Sequence, residues 1–190
     1  MVTIDLNADL GEVFGRWALT DDEGLLDVAY RVLDSPLGAL LVAATPEGVV
    51  RVGFEVEGHD AVLADLAERV SSRVLQAPAR LDDVARGLDG YFSGGPAPEV
   101  PLDLRLLHGY RREVVTALPG IPFGRTATYA EVAAMTGRPR AVRAVGSACA
   151  HNPVPLLLPC HRVVRSDGSE GGYRGGPEAK HALLELEAAR

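Results

Sequence analysis

Three short hydrophobic runs near the beginning of the chain have the length and the flanking residues of β-strands. They lie at residues 30–34, 37–45 and 49–56, and the turn-forming sequences SPLG at 35–38 and PEG at 46–48 mark the turns between them. In the third run apolar residues alternate with polar ones, so we expect that strand to be buried on one face only.

Apolar residues then recur at helical spacing in two segments, which predicts two amphipathic helices. The two stripes consist of Val62, Leu63, Leu66 and Val70, and of Leu81, Val84, Leu88, Tyr91 and Phe92. The sequence SGGP at 93–96 ends the second helix and is typical of a linker. Residues 29–98 are therefore predicted to form a small α/β domain, and no polar cluster within it suggests chemistry.

Residues 99–190 are predicted to form a second, mostly helical domain. It begins with an expected strand at 100–106 and a helix whose apolar residues are Tyr110, Val114, Val115 and Leu118. A helix-turn-helix candidate follows at 126–152. Thr128 and Glu131 fit a capping box at its start, Gly137 suits the end of the first helix, and Pro139 suits the first turn of the second. The residues of the first helix expected to face inward are Val132 and Met135.

The second helix of this pair has an apolar face and a basic face. The predicted buried face consists of Val142, Val145 and Cys149, and the basic face consists of Arg140, Arg143 and Ser147. The residues between them are small: Ala144, Gly146, Ala148 and Ala150. Small side chains let a helix backbone approach either another helix or a groove of DNA, and the pattern alone leaves both possibilities open.

Cys160 is a candidate activated thiol. It follows the rigid, proline-containing run NPVPLLLP at 152–159 and precedes His161 and Arg162. The thiolate is the nucleophilic form of cysteine, and a nearby base or positive charge promotes it. Because adjacent side chains on an extended segment point apart, we expect His161 to act through a water molecule, oriented by a glutamate at 178, 185 or 187. The competing interpretation is a buried structural cysteine beside a surface histidine.

The charge of the chain is unevenly distributed. The net charge is −7, yet residues 104–165 contain nine arginines, no lysine and two acidic residues, which gives this segment +7. Such a segment fits a DNA-binding surface or a surface that acidic neighbours neutralise in the fold. The two cysteines, the absence of a long apolar run and the absence of a signal peptide predict a cytoplasmic protein that does not enter a membrane.

The sequence PCHRV at 159–163 resembles the active-site signature of the O6-alkylguanine-DNA alkyltransferases. The likeness covers about residues 29–189 and includes RAVG at 143–146, NP at 152–153 and GGYRGG at 171–176. It implies a ribonuclease-H-like α/β domain over 29–98 and, over 99–190, a mostly helical domain with a winged helix-turn-helix. It also implies DNA repair, by irreversible and stoichiometric transfer of an alkyl group from O6-alkylguanine to Cys160, with O4-alkylthymine as a second candidate substrate.

The resemblance implies a role for each matching residue. In the reaction itself, Cys160 accepts the alkyl group, His161 is its base through a water, Glu187 holds His161, and Asn152 braces the active-site turn. Tyr129 and Arg143 rotate the damaged nucleotide out of the duplex. The residues that approach the minor groove are Ala144, Gly146 and Ser147. The residues of the base pocket are Tyr173, Arg174, Val163 and Met135, with Arg174 expected at the rim because some relatives have serine there.

The resemblance implies double-stranded DNA with O6-alkylguanine as the partner, a monomer without an obligate protein partner, and no cofactor. Some relatives bind zinc through cysteines of the first domain, but no cysteine precedes Cys149 here, so we expect no metal. Residues 1–28 carry seven acidic residues and one arginine and resemble the beginning of the LamB/YcsF family. A fragment of that length cannot complete a site, so we assign it no activity.

Two other functions remain to be weighed. Relatives that bind damage without repairing it replace the acceptor cysteine, and Cys160 is present. A cysteine hydrolase that uses Cys160, His161 and Glu187 would turn over an ester or an amide repeatedly, whereas an alkyltransferase reacts once.

Overall fold

The computed structural model describes residues 28–189, so the predicted N-terminal extension at 1–28 lies outside the described residues except for Val28. The strands are β1 (Val28–Leu33), β2 (Leu40–Thr45), β3 (Gly48–Phe54), β4 (Val74–Gln76), β5 (Ala127–Thr128) and β6 (Val163–Val164). The helices are α1 (His59–Arg69), α2 (Asp82–Phe92), α3 (Gly109–Ala117), α4 (Tyr129–Met135), α5 (Val142–Ala150) and α6 (Gly176–Ala188). None of these helices combines the length and the apolar character of a membrane span.

The predicted order of an α/β part followed by a helical part is confirmed. Residues 28–92, called the sheet region below, contain a four-stranded sheet in the order β3-β2-β1-β4 with two helices. β1 and β3 run antiparallel to β2, and β4 runs parallel to β1. Residues 109–188, called the helical region, contain α3 to α6 and the short parallel pair β5–β6. The sequence analysis missed β4, which has three residues and too short a pattern to detect.

The three predicted strands are confirmed, but β3 is buried on both faces rather than one. On one face, Gly53 lets Val62 of α1 approach to 3.1 Å from the position of an added Cβ atom. On that same face the charge of Arg51 is neutralised by Glu57, and the two side chains are 2.5 Å apart. Val56, expected in the strand, lies beyond it and is 71% exposed. A small residue and a neutralised arginine therefore occupy positions that the alternation assigned to solvent.

The prediction of a strand at 100–106 is wrong. Only one bridge, between Leu102 and Val49, connects this segment to the sheet in the described chain. Asp103 is buried here and its carboxylate accepts a hydrogen bond from the Thr45 hydroxyl (2.6 Å) and from Arg105 Nε (2.6 Å). Two backbone hydrogen bonds at Val49, to the Pro101 carbonyl and from Asp103 N (both 2.9 Å), and the side-chain bond from Thr45 hold the segment against the sheet region without an extended ladder.

The helix pair α4–α5 is present, with a different turn. Thr128 caps α4, since its hydroxyl accepts from Glu131 N (3.2 Å), and Gly137 follows the helix with φ of 70°. Pro139 does not begin α5, as was expected. It lies in a turn closed by a hydrogen bond from Ala141 N to the Arg138 carbonyl (2.8 Å), and α5 begins three residues later at Val142.

Two residues of this pair that were expected to be buried are exposed. Met135 is 49% exposed and lies near Gly120, because the buried stripe of α4 runs through Val132 and Ala133. Val142 is 37% exposed, because it lies in the first turn of α5 and the buried face of that helix is formed by Val145, Ala148 and Cys149. The inward direction predicted for Met135 and Val142 is therefore wrong.

Candidate active site

The segment that leads to Cys160 is a buried loop held by its own backbone. Leu158 N donates to the Val154 carbonyl (3.0 Å), and Cys160 N donates to the Leu158 carbonyl (2.8 Å). Leu156 has φ of 74°, a left-handed conformation that is rare for a bulky side chain. Strain of this kind persists where the surrounding packing fixes it, often at functional sites. The loop ends in a single turn of 3-10 helix, Cys160–Arg162.

Asn152 connects the beginning of this loop to the sulfur atom at its end. Its Nδ2 donates to the Leu158 carbonyl (2.7 Å) and to Sγ of Cys160 (3.2 Å), and its Oδ1 accepts from Val154 N (3.1 Å). The amide is fully buried. A hydrogen bond donated to sulfur favours the thiolate, so Asn152 both shapes the loop and promotes the reactive form.

The Cys160 side chain is 3% exposed, and burial raises the pKa of its thiol. The hydrogen bond from Asn152 and the charges of Lys180 and Arg174 lower that pKa but do not offset burial. Lys180 is fully buried on α6, and its Nζ donates to the Val163 carbonyl (2.6 Å). At neutral pH the resting side chain is a thiol, and it needs a base to become a nucleophile.

His161 and Glu187 form a buried pair next to Cys160 in the chain. Nε2 of His161 lies 2.9 Å from Oε1 of Glu187. Burial lowers the pKa of His161, although the hydrogen bond and charge of Glu187 oppose the shift. The imidazole is therefore neutral near pH 7. Its Nδ1 atom is buried and has no hydrogen-bond partner among residues 28–189.

The Glu187 carboxylate accepts hydrogen bonds from both regions of the molecule. Arg162 donates through Nε to Oε2 (2.8 Å) and through Nη2 to Oε1 (2.9 Å), and Gly124 N donates to Oε2 (3.3 Å). Burial raises the pKa of Glu187, but the hydrogen bonds from His161 and Arg162 outweigh it and lower the pKa to about 2. Glu187 is therefore ionised at neutral pH.

The sheet region reaches this network through Tyr91 on α2. The Tyr91 hydroxyl donates to Oε1 of Glu187 (2.8 Å) and lies 3.4 Å from Nε2 of His161. The side chain is 1% exposed. The sheet region, in which no sequence pattern suggested chemistry, therefore contributes one buried side chain to this network.

Tyr129 and the glycine loop at 171–176 lie against each other. A Cβ atom at Gly171 would come within 2.8 Å of the Tyr129 hydroxyl, and φ at Gly171 is 64°, so a side chain is excluded at this position. Burial and, to a smaller extent, the sulfur atoms of Cys149 and Cys160 raise the pKa of Tyr129. The phenol therefore stays protonated and can donate a hydrogen bond.

Tyr173 packs between the sheet region and His161. Its ring meets Phe54 edge-on with 5.4 Å between centroids, and it meets His161 edge-on at 6.3 Å. Gly175 lies against the same Phe54 ring, which a Cβ atom would approach to 2.8 Å. The Tyr173 hydroxyl is buried and has no hydrogen-bond partner within the described range. The end of the glycine loop is thus fixed on the sheet region.

Arg174 turns toward the sheet region. Its Nη1 forms an ion pair with Glu57 (3.2 Å), and its Nε donates to the Ala150 carbonyl (3.4 Å). With Arg51 it lines a cavity of about 310 Å³ that does not include Cys160. The side chain of Arg174 is therefore engaged beside the glycine loop rather than directed at the thiol.

The exposed face of α5 carries the residues predicted to contact DNA. Arg143 and Ala144 are exposed, and Gly146 and Ser147 are half-buried. Arg143 makes no ion pair with any residue of the described chain. The Tyr129 ring lies 3.9 Å from the position of a Cβ atom at Gly146, so the α5 face adjoins the glycine loop and the cysteine site.

Comparison with known proteins identifies this arrangement. Residues 28–105 match the ribonuclease-like domain of 6-O-methylguanine DNA methyltransferase, and residues 109–189 match its DNA-binding domain. A methylated-DNA–protein-cysteine methyltransferase from Mycobacterium tuberculosis is 37% identical over 170 residues, which cover 86% of this chain and 94% of the relative. A protein of the same name from Methanosarcina barkeri is 35% identical over 161 residues, which cover 83% of this chain and 96% of the relative.

The chain belongs to the 6-O-methylguanine DNA methyltransferase family. A crystal structure of a Mycobacterium tuberculosis protein in complex with DNA matches the fold with a TM-score of 0.73 and 36% identity, and it covers 85% of this chain and 93% of that one. This is the family that the cysteine signature indicated.

The structure brings together Cys160, Asn152, His161 and Glu187, as the sequence predicted. The alternative of a surface histidine is wrong, because His161 has no exposed surface. Sequence reasoning missed two buried residues of the site, Tyr91 and Lys180, and it noted Arg162 beside Cys160 without predicting its contact with Glu187. The signal for Lys180 was present, since it shares the buried stripe of α6 with Leu183 and Glu187.

Proposed function

We propose that Cys160 is the cysteine to which this methyltransferase moves the alkyl group of O6-alkylguanine, once per molecule and irreversibly. The observation that carries the assignment is a buried thiol that accepts a hydrogen bond from Asn152. His161, which is paired with Glu187, follows it directly in the chain. The sulfur forms a bond to the alkyl carbon as the bond from that carbon to O6 breaks. Guanine leaves with the electron pair of the broken bond and is then protonated by solvent.

His161 is the base in this proposal. Its neutral imidazole has Nε2 engaged by Glu187 and Nδ1 unpartnered, so Nδ1 is the nitrogen that can accept a proton. We assign it the thiol proton of Cys160, transferred through a water molecule. The pKa of His161 is lowered by burial, which keeps the ring unprotonated and able to serve as a base at neutral pH.

Duplex DNA containing the damaged base is the proposed partner. A base inside a duplex hides its alkyl carbon and has to be flipped out, at a cost of a few kcal/mol. We assign the flipping to Tyr129 and Arg143, with Ala144, Gly146 and Ser147 approaching the minor groove. The exposure of α5 supports this assignment, and so does the absence of an ion pair between the Arg143 guanidinium and any of residues 28–189. A hydrogen bond from Tyr129 to guanine N3 would stabilise the leaving group.

The proposed base pocket consists of Val163, Tyr173 and Tyr129, with Arg174 at the rim. The buried, unpartnered hydroxyl of Tyr173 supports its place there. Met135, expected in the pocket, points toward Gly120 and is left out.

The finer features of the fold also belong to this proposal. We assign the ribonuclease-H-like fold to residues 29–98 and a winged helix-turn-helix to residues 99–190. The two family matches and the α4–α5 pair support this division. The protein is proposed to act as a monomer. The free thiols of Cys149 and Cys160 suit a reducing compartment, so the cytoplasm is the proposed location.

Mass spectrometry tests the assignment of Cys160. After mixing with a duplex that holds one O6-methylguanine, we expect one added methyl, about 14 Da, on Cys160. Cys160→Ala should take up none. Cys149→Ala is the matched control and should react normally, because Cys149 is buried on α5 and burial raises its pKa to about 12. Methyl on Cys149, or repeated turnover by one molecule, would contradict the proposal.

A further inference from the structure

The Tyr91 hydroxyl has two hydrogen-bonding neighbours in the active site, and it can donate its single proton to one of them. Glu187 Oε1 lies 2.8 Å away, and His161 Nε2 lies 3.4 Å away. The shorter, better contact goes to the carboxylate, so Tyr91 donates to Glu187 and not to the imidazole. The phenol remains protonated, because burial and, to a smaller extent, the charge of Glu187 raise its pKa.

This donation has a consequence for His161. Tyr91 leaves the short contact between Nε2 and Glu187 Oε1 (2.9 Å) to the imidazole. Because the ionised carboxylate can only accept, Nε2 carries the proton in this contact. A neutral imidazole carries one ring proton, so Nδ1 then holds the free lone pair. Nδ1 is also the nitrogen without a partner in the described chain.

We propose that Tyr91 is a positioning residue for alkyl transfer: by donating to Glu187 it holds that carboxylate in place and shares its negative charge, so that His161 stays neutral with Nδ1 free to act as the base. This inference rests on the proposed function of His161. It assigns to the sheet region a part in the chemistry of the helical region. Tyr91 does not touch the reacting atoms, and it acts through Glu187.

Several charged or titratable groups face His161 and together set the pKa of its ring. They are Glu187 and Lys180 on α6, Arg162 in its own turn, Tyr91 on α2 and Tyr173 in the glycine loop, and Cys160 precedes it in the chain. Glu187 favours the protonated imidazolium, whereas burial, Arg162 and Lys180 disfavour it. Removing the Tyr91 hydroxyl leaves Glu187 with fewer donors. Its charge then acts more strongly on His161 and raises the pKa of the imidazole.

The test compares Tyr91→Phe with Tyr110→Phe. Tyr110 is the matched control because its hydroxyl is also hydrogen-bonded, to Thr136 Oγ1 at 2.8 Å, outside the site. The substrate is free O6-benzylguanine, which needs no base flipping. For Tyr91→Phe we expect a single-turnover rate at pH 7 lower by roughly tenfold. The acid limb of its pH–rate profile should move to higher pH, and Tyr110→Phe should keep the wild-type rate and profile.

A second measurement does not depend on whether the variant folds. Nitrogen-15 NMR of the wild-type histidine ring should show His161 with its proton on Nε2 and with Nδ1 unprotonated. A wild-type ring that carries its proton on Nδ1 would overturn the inference, and so would a Tyr91→Phe variant with unchanged rate and pH profile. Mass spectrometry of the reacted variant separates the two proposals. A benzyl group on Cys160 with unchanged kinetics contradicts only the role of Tyr91, whereas a benzyl group on another residue contradicts the proposed function.

Discussion

Two arginines of the helical region show two different uses of the same side chain. Arg162 is 5% exposed, and its guanidinium donates to both oxygens of Glu187 and to the Ile121 carbonyl (2.7 Å). Arg143 is exposed on α5 and makes no ion pair with the described residues. The buried arginine is fully satisfied within the protein, whereas the exposed one retains its charge and its donors for a ligand.

This contrast separates side chains whose partners lie within the protein from side chains that are proposed to contact DNA. Both oxygens of the Glu187 carboxylate are hydrogen-bonded within the protein, so the residues that donate to it should matter for folding as well as for chemistry. In the proposed function the exposed face of α5 gains its partners only when DNA binds, so its residues should matter for duplex substrates and little for stability. The predictions below test this separation, from the largest expected effect to the smallest.

Arg162→Met should cause the largest loss of stability. It leaves the buried Glu187 carboxylate without its guanidinium partner, and breaking a buried pair in this way costs about 3–5 kcal/mol. Arg143→Met is the matched control, and an exposed position should change the free energy of unfolding by about 0.5 kcal/mol or less. Urea denaturation measures both. Equal losses would show that the two arginines do not differ as the contacts indicate.

The pH dependence of stability should carry the signature of Glu187. Its pKa is about 2 in the folded protein, against 4.5 for an unperturbed glutamate, so the unfolded state binds more protons between these values. The contribution of Glu187 is therefore fully present above pH 5 and is lost as the pH falls toward 2. We expect about 2–3 kcal/mol over this window. Glu187→Gln should flatten the curve there, and a slope unchanged from wild type would contradict the assignment.

Arg143→Ala should change the reaction with DNA and not the reaction with a free base. Because only the duplex substrate requires flipping, we expect repair of a duplex to slow by roughly tenfold or more. The rate with free O6-benzylguanine should stay near the wild-type value. Single-turnover kinetics on both substrates make the comparison. Losses of the same size on both would remove Arg143 from the flipping step.

Local patterns in the sequence were enough for much of the fold. The alternating and helical periodicities located β1 to β3, α1 to α3 and the capped start of α4 at Thr128. They failed where short elements pack by tertiary contact. β4 has three residues, and Met135 lies off a buried stripe that a seven-residue helix defines poorly. Pro139 fitted a helix start, but a proline fits a turn equally well.

The candidate site was accessible from the sequence for a different reason. Cys160 and His161 are adjacent, and Asn152, which donates a hydrogen bond to the sulfur, is only eight positions away, so one short stretch of sequence contains all three. Tyr91 and Glu187 lie 96 positions apart. Tyr91 also occupies a stripe of apolar residues on α2, where an aromatic side chain is expected as core. Nothing in the local pattern distinguishes a core tyrosine from one that holds a catalytic carboxylate.

The contacts that cross between the two regions also limit how the protein can be recombined. Tyr91 reaches Glu187, Phe54 supports Tyr173 and Gly175, and Arg51 Nη1 reaches the Pro153 carbonyl (3.4 Å). A chimera that joins the sheet region of one relative to the helical region of another inherits a working active site only if these contacts survive the exchange. The two regions are therefore expected to be inherited as a matched pair, and a change at position 91 constrains what position 187 can become.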